Sequence, residues 1–156
     1  MTSNERADLI ERYRTGAAAV EDAVVGITDA ELDRRPPGDG EWTAREVIHH
    51  LADSEAMAYI RLRRLIAEDD PLIQAYDEPE WARRLHYDRP IEPSLAVLAA
   101  VRAASAQLLE SLSGAEWART GTHGESGAYS VLRWLAIYAA HPAEHAQQIL
   151  AARRGG

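Results

Sequence analysis

Apolar residues recur every three to four positions along most of this chain, and the stripes they draw predict helices. The first stripe runs through Leu9, Tyr13, Gly16, Val20, Val24 and Ile27, behind a capping box in which Thr2 stands three positions before Glu5. Gly26 marks its end. A second box, Thr28 to Glu31, starts a short helix that Pro36, Pro37 and Gly38 stop. A third, Thr43 to Glu46, opens a long helix to about Glu68, with Val47, Leu51, Ala58, Leu62 and Leu65 as its apolar stripe.

From Asp69 to Pro93 no long stripe continues. A connection of this length in a compact domain is functional or partly helical, and in a four-helix bundle it suits a crossover between helices that are not antiparallel neighbours. Pro93 fits the first turn of a third helix carrying Leu95, Leu98, Val101, Ser105, Leu108 and Leu112, ended by Gly114. A one-turn helix is expected around Trp117, turns from Gly121 to Gly127, and a last helix from the N-cap Ser130 to about Arg154. No segment alternates as a strand, so the sequence reads as an all-α four-helix bundle in one domain spanning residues 1–156.

Six histidines stand against this framework. His141 and His145 sit at i and i+4 on the last helix, which places their Cβ atoms about 5–6 Å apart on one side. The core direction of that helix passes through Val131, Leu135, Pro142 and Ile149; both histidines are displaced to one side of it, together with Trp134 and Tyr138. Pro142 removes the N–H that would bond the Tyr138 carbonyl, so a kink is expected between the two imidazoles. On the second long helix, His50 falls on the shoulder of the core stripe with Ser54, Met57 and Arg61, whereas His49 falls on nearly the opposite face and is expected to be solvated. His50, His141 and His145 are thus the candidate metal ligands, with Ser54, Met57, Trp134 and Tyr138 as candidate pocket walls. His86 and His123 have no partners at useful spacing.

Composition narrows the chemistry. The chain has no Cys, which excludes a thiolate nucleophile and a Cys-ligated zinc site, and no Lys, which excludes Schiff-base chemistry and a P-loop lysine. A net charge of −8 argues against nucleic acid as a partner, and the absence of a long apolar run argues against a membrane span and for a cytoplasmic protein. With 156 residues, 46% of them hydrophobic, the chain can bury a core.

Several segments in the expected order resemble the DinB/YfiT-like superfamily of metal-dependent proteins. They are Ile27-Thr28-Asp29-Ala30-Glu31-Leu32, the run from Glu41-Trp42 through His49-His50-Leu51-Ala52-Asp53, Tyr76 with Trp81, the third helix with Arg102, and His141-x-x-x-His145-Ala146-Gln147-Gln148-Ile149. The resemblance implies a four-helix bundle of up-down-down-up topology, a homodimer, and a three-histidine metal site at His50, His141 and His145. Some members carry a further histidine where this chain has Glu144. Characterised members include thiol transferases that join a bacterial low-molecular-weight thiol to an electrophile, and a mycothiol-dependent isomerase.

Three neutral imidazoles would leave a coordination position open on Zn²⁺, Ni²⁺ or Fe²⁺, where a water or an incoming thiol would be acidified. The expected function is therefore that of a metal-dependent enzyme. A thiol S-transferase acting on small electrophiles with a low-molecular-weight thiol cosubstrate leads; a metal-dependent hydrolase, or a non-catalytic metal- or ligand-binding stress protein, are the alternatives. Asp53 and Glu144 are either partners of the imidazole N–H groups or surface acids, and Arg61 either holds a substrate carboxylate or is solvated. The aromatic residues Tyr76, Trp81 and Tyr87 mark the long crossover as a cover for the open end of the site.

Overall fold

In a computed structural model that describes residues 2–155, four long helices form where the apolar stripes lie: α1 (Ser3–Val24), α3 (Ala44–Ala67), α5 (Glu92–Ser111) and α7 (Val131–Arg154). Short helices α2 (Asp29–Leu32), α4 (Glu78–Arg84) and α6 (Gly114–Trp117) fill the connections. Capping boxes at Thr2, Thr28, Thr43 and Ser113 each satisfy two end groups reciprocally, and Ser130 caps α7.

The ends of the helices fix the topology. Near the end of α7, Arg153 donates to the carbonyls of Ala23 and Val25 at the end of α1, so these two helices run parallel. The first turns of α3 (Ala44, Val47, Ile48) and of α5 (Ile91, Leu98) pack into the same apolar cluster as Val20, Ala23, Ile149 and Ala152. Both therefore run the other way, and the bundle is up-down-down-up. Because α3 and α5 are parallel, the crossover between them must return along the length of the bundle.

That crossover holds more regular structure than the sequence suggests. It contains α4 and a two-residue strand β1 (Leu72–Ile73). β1 pairs in parallel with β2 (Thr120–His123), which pairs antiparallel with β3 (Gly127–Ser130). The expectation that no strand forms is corrected here: segments of two to four residues are too short to show alternation, and Thr-Gly-Thr-His resembles a turn. Gly121 permits the pairing, since a Cβ there would stand 2.5 Å from the Pro71 carbonyl oxygen.

Two apolar clusters occupy the two ends of the bundle. One gathers Tyr13, Leu62, Leu65, Leu109, Trp134 and Leu135; the other gathers Val20, Val47, Leu51, Leu98 and Ile149. Between them lies a layer of buried polar groups, with Ser54 and Glu55 from α3 and Arg102 and Ser105 from α5. Gly16 of α1 and the His141–His145 stretch of α7 lie at the same level. This layer carries the chemistry.

Candidate metal centre

α3 and α7 run antiparallel past each other at the polar layer, and His50 meets His141 and His145 there. One nitrogen from each of the three rings can be chosen so that all lie within 4.8 Å of one another. The ring centroids of His50 stand 5.9 Å from His141 and 5.0 Å from His145, and those of His141 and His145 are 4.5 Å apart. Pro142 does not separate the pair: α7 continues unbroken through it.

The proton placement on His145 follows from its neighbours. Its Nδ1 lies 2.8 Å from the Gln148 Oε1, a contact that needs the proton on Nδ1 and leaves Nε2 with its lone pair. That Nε2 faces the Nε2 of His141 at 3.1 Å. Two imidazole nitrogens so placed, with His50 beside them, could hold a metal ion; bonds near 2.0–2.1 Å to a common ion fit nitrogens about this far apart. The donors are all nitrogen, which suits Zn²⁺, Ni²⁺ or Fe²⁺ rather than Ca²⁺ or Mg²⁺.

Burial favours the metal-competent form of the rings. Desolvation, followed by the nearness of His145, pulls His50 down to about 4. The same causes in the same order, with His50 and Arg102 added, pull His141 down to about 3. Both are neutral at pH 7 with lone pairs available. Trp42 closes one side, its ring edge-on to His50 at 4.8 Å.

Of the expected pocket walls, Ser54 lies one turn from His50 and is buried, and Met57 is half-buried on the same helix. Trp134 is fully buried in the apolar core, where its indole N–H donates to the Ala58 carbonyl at 2.9 Å. It is a packing residue rather than a pocket wall, because it lies two turns below the histidines and faces Tyr13. Tyr138 belongs to the same core, but its ring also stands 5.8 Å from His141 and its hydroxyl accepts a hydrogen bond from Arg61. Arg61 is thus tied down, donating to the Gln74 carbonyl as well, and is not a free solvated side chain. Tyr76 and Trp81 of the crossover stack at 4.5 Å, and the Tyr76 hydroxyl is buried beside Ser54.

His49 requires a correction. It is fully buried, not solvated. Its Nε2–H donates to the Arg89 carbonyl at 2.9 Å and its Nδ1 accepts from the Ser94 hydroxyl at 2.8 Å. The face opposite the α3 apolar stripe is covered by the end of the crossover and the start of α5, which periodicity along α3 alone does not reveal. Asp53, expected near the imidazoles or in solvent, accepts instead from the Tyr87 hydroxyl at 2.6 Å. Glu144 is exposed.

Two buried residues of the site carry no role in the sequence reading: Glu55, and Arg102, which enters there only through the family resemblance; both are without solvent exposure. Glu55 Oε1 accepts from Arg102 and lies 4.0 Å from His141 Nδ1. The signal was present in the pattern, since Glu55 falls on the apolar stripe between Leu51 and Ala58, where a charged residue has to find a buried partner.

A protein from Oceanobacillus iheyensis, provisionally named a metal-dependent hydrolase, is 42% identical over 130 residues, covering 83% of this chain and 75% of its own length. One from Geobacillus thermodenitrificans with the same provisional name is 36% identical over 138 residues, covering 87% of this chain and 77% of its own. The solved structure of YfiT from Bacillus subtilis, described as a probable metal-dependent hydrolase with an unusual four-helix bundle topology, superposes with a TM-score of 0.91 at 29% identity, covering 99% of this chain and 89% of that one. The DinB superfamily profile matches residues 12–149, and with the three histidines at the centre of the bundle this chain belongs to the DinB superfamily.

Proposed function

We propose that this chain is a metal-dependent enzyme in which His50, His141 and His145 hold one divalent transition-metal ion and a small molecule brings the nucleophile. The observation that carries this reading is the convergence of three imidazoles, within 4.8 Å, as the one cluster of three or more potential ligating side chains among the described residues. Such an ion supplies Lewis acidity, which makes a bound water or thiol a nucleophile at neutral pH.

The chain's own residues hold and shield. Gln148 fixes the ring of His145, burial keeps His50 and His141 neutral, and Trp42 limits water on one side. With no Cys in the chain, sulfur chemistry requires a thiol from outside, so transfer of a low-molecular-weight thiol to a small electrophile is the finer reading. The similarity to proteins provisionally named hydrolases supports the second, in which water is the nucleophile. A cytoplasmic homodimer completes the reading, and no helix among the described residues is long and apolar enough to cross a membrane.

Elemental analysis of protein purified without an affinity tag tests the site: the wild type is expected to carry close to one transition-metal ion per chain, and His145→Ala to lose it. Single-turnover assays of the metal-loaded protein with bacillithiol, mycothiol or glutathione and a model electrophile then separate the chemistries. Metal-dependent product with a thiol supports transfer, and product only with water supports hydrolysis. X-ray absorption showing every coordination position filled by protein atoms would make the bundle a metal-binding protein without turnover.

A further inference from the structure

A buried ion pair is a poor way to stabilise a bundle. Removing two charges from water costs several kcal/mol per ion, and apolar residues of similar volume often serve as well. Yet Glu55 and Arg102 sit in the middle of this protein with no solvent exposure. Their surroundings suggest what the pair accomplishes.

Arg102 reaches all three of the other long helices. It donates to Glu55 on α3, to the Tyr13 carbonyl on α1, and through two nitrogens, each at 3.1 Å, to the Tyr138 carbonyl on α7. The Tyr138 carbonyl is the acceptor that Pro142 leaves without a helical N–H. Arg102 therefore replaces the missing bond at the turn that carries His141. Room for its guanidinium comes from Gly16, where a Cβ would stand 2.7 Å from Arg102 Nη2 and 3.2 Å from Pro142 Cγ.

Held this way, the Glu55 carboxylate faces the Nδ1 of His141, whose Nε2 faces His145. Oε1 is 4.0 Å from His141 Nδ1, and both Nδ1 and Glu55 Oε2 are buried without a hydrogen-bond partner among the described residues. A carboxylate oxygen accepts more than one hydrogen bond, so a proton on His141 Nδ1 would reach Oε1, already the acceptor for Arg102, with a shift of about 1 Å. A histidine that binds an ion through Nε2 carries its proton on Nδ1, and that N–H needs an acceptor. For His145 the acceptor is Gln148, already in place.

We infer that Glu55, locked by Arg102, is the positioning residue for His141: it accepts the Nδ1–H and thereby presents Nε2 to the ion. The inference rests on the three-histidine metal reading above. It assigns the two α7 ligands different partners, a neutral amide for His145 and a carboxylate for His141. It also accounts for charge at the core, because a carboxylate strengthens the imidazole as a ligand where an apolar side chain could not.

Metal affinity measured by chelator competition with Zn²⁺ tests it, alongside the visible spectrum of the Co²⁺-substituted protein. Glu55→Gln keeps the shape and removes the charge; it is expected to weaken Zn²⁺ binding about 10–100-fold and to shift the Co²⁺ bands, with the helical circular dichroism retained. Asp53→Asn, also an α3 carboxylate, is expected to do neither. In the wild-type Zn²⁺ protein, long-range ¹H–¹⁵N spectra should show His141 protonated at Nδ1, with a slowly exchanging proton. That measurement needs no variant to fold. Unchanged affinity and spectrum in Glu55→Gln, or a His141 protonated at Nε2, overturns the inference while leaving the metal site standing. A wild type that binds no transition metal overturns both.

Discussion

Arg102 of α5 closes the gap that Pro142 opens in α7, by donating two hydrogen bonds of 3.1 Å to the carbonyl of Tyr138. Truncating it strands the Glu55 carboxylate and the Tyr138 carbonyl inside the bundle and takes a hydrogen bond from the Tyr13 carbonyl. Arg102→Met is therefore expected to lose about 3–5 kcal/mol of stability, the range for a buried pair robbed of one partner. Urea unfolding of the apoprotein measures this, and a loss below about 1 kcal/mol would mean the pair behaves like one at the surface.

Gly16→Ala offers a second probe of the same layer. In an exposed helix this change stabilises by roughly 1 kcal/mol. Here the new methyl meets Arg102 Nη2 at 2.7 Å and Pro142 Cγ at 3.2 Å, and neither neighbour can retreat without breaking a hydrogen bond or moving α7. Crowding of this kind costs about 1–3 kcal/mol, so the net effect is expected to be destabilising, with metal affinity reduced. A rise in the thermal midpoint would show that the layer has slack.

The neighbouring histidines of α3 are expected to respond in opposite ways. His49→Ala leaves the Arg89 carbonyl and the Ser94 hydroxyl without their partner, at about 1–3 kcal/mol for each buried group so stranded; its metal content stays that of the wild type. His50→Ala loses the ion, with little or no loss of apoprotein stability. Thermal melts and elemental analysis on the two variants decide this together, and equal metal loss in both would contradict the assignment.

Stability of the apoprotein should depend on pH through the buried imidazoles. His50 titrates near 4 and His141 near 3 in the folded chain, against 6.5 as the ordinary value, because burial opposes their charge. Below 6.5 the unfolded chain takes up protons that the folded chain refuses, so their contribution is complete above that pH and is lost as pH falls. Each supplies a slope of up to about 1.4 kcal/mol per pH unit. Glu55, pushed up by burial, acts with the opposite sign, so the imidazole part is read as the difference between wild type and His50→Ala between pH 6.5 and 5. Parallel stability curves for the two proteins would contradict it.

The bundle was legible because the stripes and capping boxes are local signals: Thr43 with Glu46 and the run Val47, Leu51, Ala58, Leu62, Leu65 need nothing beyond α3 to be read. The two ends of α7 were equally plain from Ser130 and the trailing arginines. His141 and His145 announced themselves by spacing, and His50 by its place on the shoulder of the stripe. Periodicity along α3 sets His50 on the shoulder of the stripe but puts His49 in solvent, because a helical wheel knows one core direction and α3 is covered on a second side by the segment from Arg89 to Ser94. Trp134 shared the angular side of the histidines but sits two turns deeper, a difference along the axis that angle alone does not encode. The sheet and the Glu55–Arg102 contact depend on pairings between distant segments and become visible only once the chain is folded.

The two helices that supply the imidazoles are the second and the last of the four long ones, with some ninety residues between His50 and His141. An ion seated there would act as a late clasp: a nascent chain still lacking α7 has only one of the three donors. Metal capture would thus report that α7 has docked against α3, and its grip would lengthen the life of that contact.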